Sequence, residues 1–277
     1  MIVQSVLKQC EKFLSDHQKE SPAIESQVIV GHVLKKSRSD LLRDLGTDLS
    51  LYEQSEVFRI MSERSYGTPL AYLIGHRDFY GLNFMVNHNV LVPRQETELL
   101  VETVLDFVNS DQREIVDVGT GSGCIGIAIA VSLNNANITA IDISDKALDV
   151  ARQNCQYHFV GDRVVLKKGN LLNVFSGLAD VIVANLPYIK SDEIQYLQPE
   201  VRCEPRLALD GEEDGLCFQR ELLIQSKSKL NKSGFLAMEI DPEQYASLEF
   251  LAKDIFPMKT VDFIQDGNGD KRVLCVK

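Results

Sequence analysis

Glu114-Ile-Val-Asp-Val-Gly-Thr-Gly-Ser-Gly-Cys-Ile-Gly-Ile-Ala-Ile-Ala130 decides the fold. Glu114 to Val118 reads as a short buried strand, and the isoleucine- and alanine-rich run after Gly123 reads as a buried helix. Between them, Gly119, Gly121 and Gly123 let backbone approach a ligand closely and leave free N–H groups at the helix start. A dinucleotide fingerprint needs G-x-G-x-x-G, and here the third glycine comes one residue early. Asp117, just before the loop, adds a carboxylate that suits an ammonium group better than a pyrophosphate.

Outward from this loop, strands and helices alternate from residue 96 onward, the pattern of a doubly wound parallel sheet. A helix carries Leu100, Val104, Leu105 and Val108. Further strands end at Asp142 and cover Val164 to Leu166, Asp180 to Ala184 and Phe235 to Ile240. Helices are expected from about Ser144, from about Phe218 and after Asp241. The chain closes with strands Thr260 to Ile264 and Arg272 to Val276, joined through Gly267-Asn-Gly as a hairpin that adds an antiparallel member. Asp142 lies about twenty residues past the glycine loop, where an acidic side chain accepts hydrogen bonds from ribose hydroxyls, and Ser144 is free to cap the next helix. Asn170-Leu171, after the third strand, is placed to meet an adenine ring with one polar and one apolar side chain, although Gly169-Asn170 also reads as an ordinary turn.

Residues 1–72 read as helices only. Ile2, Val3, Val6, Leu7, Cys10, Phe13 and Leu14 fall on one face of a first helix. Ser21-Pro22 is an N-cap and N1 pair for a second, carrying Ile24, Val28 and Val33. Ser50 and Glu53 have capping-box spacing for a further helix that closes near Gly67. In residues 73–93 the period changes: His76 to Tyr80 and Asn83 to Val86 flank Gly81 as a hairpin, followed by a strand over Val90-Leu-Val-Pro93. The expected domains are therefore 1–72, a hairpin linker over 73–93, and the α/β domain over 94–277.

Composition narrows the function. A formal charge of −11 argues against affinity built on phosphate neutralisation, so no direct nucleic-acid binding is expected. No apolar run is long enough for a membrane span, and Lys8, Glu11 and Lys12 interrupt any signal-like stretch, which points to a cytoplasmic protein. The six cysteines lack C-x-x-C spacing and the histidines form no H-E-x-x-H pattern, so no metal is expected and the thiols read as reduced.

Asn185-Leu-Pro-Tyr188 ends the Asp180 to Ala184 strand, at the sheet edge where ligands bind in open α/β folds. Asn185 supplies a side-chain carbonyl that accepts one N–H of a substrate NH₂ group, and the backbone carbonyl of Leu186 accepts the other. Pro187 forces Leu186 into an extended conformation that fixes this carbonyl. Tyr188 offers a flat face to a planar group. Two acceptors aim a poorly nucleophilic nitrogen at an electrophilic methyl and favour its pyramidalisation, so the chemistry is methyl transfer onto an amide or an amino nitrogen.

With these residues in place, the chain resembles the HemK-type (PrmC-type) glutamine methyltransferases that modify peptide chain release factors. The likeness runs over almost the whole chain, through Pro69-Leu-Ala-Tyr-Leu-Ile-Gly75, Val92-Pro-Arg-Gln-Glu-Thr-Glu98, Asp117 to Gly123, Asn185 to Tyr188, and Glu204-Pro-Arg-Leu-Ala-Leu-Asp-Gly-Glu-Glu-Asp-Gly215. The resemblance implies a seven-stranded Rossmann-like class I methyltransferase sheet, an N-terminal helical domain that helps recognise a protein substrate, and a hairpin linker. It implies S-adenosylmethionine as cofactor, held by Gly119, Thr120, Gly121, Ser122, Gly123, Asp142, Asn170, Leu171 and Asn185. It implies class-I release factors as substrates, with Asn185, Leu186, Pro187 and Tyr188 holding the glutamine of the Gly-Gly-Gln loop. Arg94, Glu96, Glu204 and Arg206 fit characteristic segments but read equally as ion pairs. Family members usually carry Asn-Pro-Pro-Tyr, so Leu186 departs from the pattern, as does Gln95 where a proline is usual. Glutamine methylation of a ribosomal protein, exocyclic-amine methylation of RNA or DNA, and a cofactor-binding scaffold without turnover are the rival readings.

Overall fold

A computed structural model describes residues 1–108 and 114–277. The chain forms two compact units, Met1–Gly75 with Gln198–Cys203, and His76–Leu197 with Glu204–Lys277.

The first unit contains α1 (Val3–Asp16), α2 (Pro22–Leu34), α3 (Arg38–Arg43), α4 (Leu51–Ser65) and α5 (Leu70–Ile74). Val3, Val6, Leu7, Cys10 and Leu14 bury one face of α1, as their spacing requires. The Ser50–Glu53 capping box forms in both directions, with the Ser50 N–H donating to Glu53 at 2.7 Å and the Glu53 N–H donating to Ser50 Oγ at 3.2 Å. The face of α2 differs from expectation. Ser26, Ile29, Val30 and Gly31 are buried, whereas Ile24 is 51% exposed. This helix is apolar nearly all round, so spacing alone cannot choose its buried side. Ser21 holds the N-cap position without a side-chain hydrogen bond. The late segment Gln198–Cys203 carries the single turn α9 (Pro199–Arg202) and brings Glu200 to the buried Arg64 guanidinium, which also grips Glu25 through two hydrogen bonds of 2.7 and 2.8 Å.

The second unit opens with a hairpin of β1 (His76–Phe79) and β2 (Leu82–Met85). Tyr80 and Gly81 form its turn, both with positive φ, the geometry that suits a two-residue hairpin. The strand expected over Val90 to Pro93 does not form. Pro93 offers no N–H, and the Val92 N–H donates to the Glu204 carboxylate at 3.0 Å instead of to a neighbouring strand.

Seven strands follow: β3 (Glu114–Val118), β4 (Asn137–Asp142), β5 (Val164–Lys168), β6 (Ala179–Ala184), β7 (Leu230–Glu239), β8 (Val261–Gln265) and β9 (Lys271–Val276). Their order is β5-β4-β3-β6-β7-β9-β8, parallel up to β7, with β9 antiparallel to both its neighbours. The helices α6 (Glu98–Phe107), α7 (Cys124–Ser132), α8 (Asp145–Tyr157), α10 (Cys217–Ser226) and α11 (Tyr245–Ile255) accompany the sheet. Two apolar layers follow the alternation of β-strand side chains: Ile115 and Val181 lie in one, with Ile127 and Ile129 of α7, and Val116, Val118, Ile182 and Met238 lie in the other.

The chain winds outward from β3 in one direction through β4 and β5, and in the other through β6 and β7. A crevice therefore opens at the carboxyl ends of β3 and β6. Their register pairs Val118 with Ala184, so Gly119 and Asn185, the next residue of each strand, emerge side by side.

Candidate active site

The glycine loop is folded against the end of β4. The N–H groups of Gly119 and Thr120 both donate to the Ile141 carbonyl, at 2.8 and 3.0 Å, and the Gly121 N–H donates to Asp142 Oδ2 at 2.8 Å. Gly119 and Gly121 have φ of +74° and +56°, which glycine adopts without strain. Asp142 Oδ1 accepts from the Ser144 N–H at 2.9 Å, and Ser144 Oγ caps α8 by accepting from Ala147. Ser144 thus caps the helix, as its position suggested. Burial raises the Asp142 carboxyl above its ordinary value, and the backbone donors around it work in the opposite sense.

A cleft at this edge is lined by Gly119, Thr120, Gly121, Ser122, Asp142, Asn170, Leu171, Asn185, Leu186 and Pro187. Gly123 and Tyr188, also expected at the ligand, do not line it. Gly123 has φ +84° at the start of α7, and a Cβ there would lie 2.8 Å from Ile127 Cδ1 and 3.4 Å from Ala151 Cβ. Its work is close packing of the loop on α7 and α8.

The Asp117 carboxylate is likewise turned away from the cleft. Strand alternation puts it on the Ile115 face under α7, where Oδ2 accepts from Thr120 Oγ1 at 2.6 Å and from the Gly126 N–H at 3.0 Å. Complete burial pushes this carboxyl up to about 6. Asp117 organises the loop and does not line the cleft.

At the other wall, Asn185 Nδ2 donates to Thr97 Oγ1 at 3.1 Å, leaving Oδ1 as the acceptor of that amide. Leu186 is buried, and a Cβ on Gly119 would lie 2.9 Å from its Cδ2. The leucine thereby packs the tetrapeptide against the glycine loop. Gln219 Nε2 donates to the Pro187 carbonyl at 3.1 Å, and Gln244 Nε2 donates to the Tyr188 carbonyl at 3.0 Å. Among the described residues, none donates to the Leu186 carbonyl.

The segment Glu204 to Gly215 backs this wall. Ile189 N–H donates to the Leu209 carbonyl at 3.1 Å and Gly211 N–H to the Ile189 carbonyl at 2.7 Å, a parallel bridge just past the tetrapeptide. Glu204 pairs with Arg94, and Arg206 with Asp210, so these residues act as ion pairs.

Sequence reasoning missed Thr97, Gln219, Gln244 and Glu239. Glu239 ends β7, next to Asn185 across the sheet, and is 4% exposed. Burial pushes its carboxyl up to about 7, against hydrogen bonding with Thr97, the Arg272 charge and hydrogen bonding with Asn185. One signal was available: a lone acidic residue closing the apolar run Phe235 to Ile240 lies at the same carboxyl edge as the tetrapeptide.

Comparison with known proteins settles the family. The chain is 33% identical to the release factor glutamine methyltransferase of Bacillus anthracis, over 99% of this chain and 98% of that one. It is 38% identical to that of Moorella thermoacetica, over 91% and 90%. The chain belongs to the release factor glutamine methyltransferase family. Within this family member, residues 5–75 match the family described as PrmC N-terminal domain, and residues 95–202 match Ribosomal protein L11 methyltransferase (PrmA). Among solved structures, the fold resembles a methyltransferase from Pyrococcus furiosus, with 19% identity and a TM-score of 0.52 over 79% of this chain and 97% of that one. It also resembles the hMettl16 catalytic domain in complex with a 3′UTR hairpin, with 18% identity and a TM-score of 0.60 over 79% and 81%. The seven-stranded sheet is that of the class I methyltransferases, as expected.

Proposed function

We propose that this chain transfers a methyl group from S-adenosylmethionine to the side-chain amide nitrogen of the glutamine in the Gly-Gly-Gln loop of class-I release factors. The observation that carries the proposal is the β3–β6 register, which sets the glycine loop beside Asn185 at one cleft.

The residues present suit this cofactor. Gly119 and Gly121 keep the loop free of side chains, the Asp142 carboxylate stands at the cleft for ribose hydroxyls, and Asn170 with Leu171 offers a mixed polar and apolar wall to adenine. When bound, the cofactor supplies a sulfonium methyl whose leaving group is neutral. Asn185 Oδ1 and the Leu186 carbonyl accept the two N–H groups of the glutamine amide, draw electron density toward nitrogen and aim its lone pair. Pro187 and Gln219 hold this strand exit rigid. With the methyl supplied on a neutral leaving group, these two acceptors would hold the nitrogen in place while it is methylated, and it would then lose one proton to solvent. Tyr188 lies outside the cleft lining, and its part is to anchor the tetrapeptide through the carbonyl that Gln244 holds.

The helical residues 1–72 recognise the protein substrate in this reading, with 73–93 as linker and 94–277 as the catalytic domain. The net charge of −11 fits a protein partner better than a nucleic acid. No helix among the described residues is long and apolar enough to cross a membrane, and we place the chain in the cytoplasm, where its substrate works. The test is incubation with isotopically labelled S-adenosylmethionine and a purified release factor, followed by peptide mass spectrometry. Added mass of one methyl on the Gly-Gly-Gln glutamine is the expected result. Label elsewhere, or greater transfer to RNA or to ribosomal protein, overturns the proposal.

A further inference from the structure

Asn185 is useful only in one orientation. Rotating its amide by half a turn presents NH₂ instead of oxygen to the cleft, and two NH₂ groups repel. A side-chain amide at a strand end needs a partner that reads which of its ends is the donor. Thr97 Oγ1, 3.1 Å from Asn185 Nδ2, accepts that donor, but a hydroxyl alone does not discriminate, because it also donates. The hydroxyl becomes a committed acceptor once its own proton is given away. The neighbour placed to take it is Glu239, which closes β7 beside β6, is buried, has Oε2 without a hydrogen-bond partner, and hydrogen-bonds with both Thr97 and the Asn185 amide. Glu239 is absent from the cleft lining, so it does not touch a ligand there.

We propose that Glu239 is a positioning residue, which draws the Thr97 hydroxyl proton toward itself and thereby fixes the Asn185 amide with Oδ1 facing the cleft. The proposal rests on the functional reading above, since it assigns how that site keeps its acceptor. Only the ionised carboxylate does this work, because a protonated Glu239 donates to Thr97 Oγ1 or Asn185 Oδ1 and removes the preference. The groups facing Glu239 set the pH at which this happens. Arg272 of β9 favours the ionised form, Glu96 before α6 opposes it, and burial raises the carboxyl to about 7. Two other neighbours stay neutral across that range: burial raises the Cys124 thiol of α7 to about 12 and also raises the Tyr188 hydroxyl.

The test uses the full chain with ¹⁵N-labelled asparagine. The Asn185 side-chain resonance is identified by its loss in Asn185→Ala and followed from pH 5 to 9. In the native chain it titrates with a midpoint near 7; in Glu239→Gln the step vanishes; Thr97→Ser keeps it and Thr97→Val diminishes it, since Asn185 also meets Glu239 directly. In methyl transfer to a release factor, Glu239→Gln lowers kcat roughly tenfold and Thr97→Val does the same, with cofactor affinity held within about twofold and Thr97→Ser restoring most of the rate. An Asn185 resonance that ignores both pH and Glu239→Gln overturns the positioning role. Absence of transfer by the native chain defeats the functional reading, while the resonance still decides the role of Glu239.

Discussion

Gly211→Ala should cost turnover while sparing cofactor binding. A Cβ at Gly211 would lie 2.9 Å from the Pro187 carbonyl oxygen, 2.9 Å from Tyr188 Cα and 2.9 Å from Gly215 Cα. All three are backbone atoms, so no side-chain rotation relieves the overlap. Opening each contact to an ordinary 3.4 Å moves the tetrapeptide or the backing segment by about 0.5 Å. A misplacement of 1 Å at a reacting centre costs on the order of 10²-fold, so half of it costs about tenfold in kcat. The overpacking itself destabilises by roughly 1–3 kcal/mol, which leaves the protein folded at 25 °C. Gly161→Ala is the control, because a Cβ there meets nothing within 4 Å. The assay pairs steady-state methyl transfer with calorimetric cofactor binding, each below the onset of thermal unfolding. A folded Gly211→Ala protein with kcat within twofold of the native value refutes the argument that this segment sets the position of the acceptors.

Asn185→Ala is expected to lower kcat by roughly 10²-fold or more with little change in cofactor Kd, and Asp142→Ala to weaken cofactor binding first; equal loss of affinity in both variants contradicts the assignment. Asp117 supplies a pH test of stability. Its folded carboxyl lies near 6 against 3.8 unfolded, so its contribution is fully present below pH 3.8 and is lost as pH rises through 6, by about 3 kcal/mol in all. Asp117→Asn removes this slope, so the difference in denaturant stability between native and variant chains must change between pH 4 and 7; a constant difference refutes it. Arg64→Met leaves the partly buried Glu25 without its cation and Glu200 with Lys19 alone, and should destabilise the helical unit by about 1–3 kcal/mol, measured by hydrogen exchange of α1, α2 and α4.

The sheet was legible because its central strands carry apolar runs, and because the glycine loop fixes where the first strand ends. What escaped was whatever depends on two segments meeting. The α2 face could not be chosen by spacing in a helix apolar nearly all round. The Val90 to Pro93 run looks like a strand until Glu204, far along the chain, takes the Val92 N–H. Asp117 looked available to a ligand, although period-2 alternation from Ile115 already put it beneath α7.

The same division applies within the site. Asn185 to Tyr188 announce themselves by composition, since their chemistry is local to each residue. Thr97, Gln219, Glu239 and Gln244 carry no such mark, because their function is to hold another residue's atom in place. Yet the tetrapeptide has no rigidity of its own beyond Pro187: its carbonyls at 187 and 188 are fixed by glutamines from α10 and from the turn before α11, and its asparagine by a threonine before α6. An acceptor pair built on a strand exit reaches catalytic precision only when such partners remove its remaining freedom. Leu186 shows the converse. Its side chain packs against Gly119 at the one position where the backbone carbonyl does the chemistry, so a residue without a ring is held by contact instead of by covalent restraint. Leu186→Ala should therefore lower kcat, because alanine gives up the packing on Gly119 and brings no ring in its place; a kcat equal to that of the native chain would show that contact with the glycine loop does not fix this carbonyl.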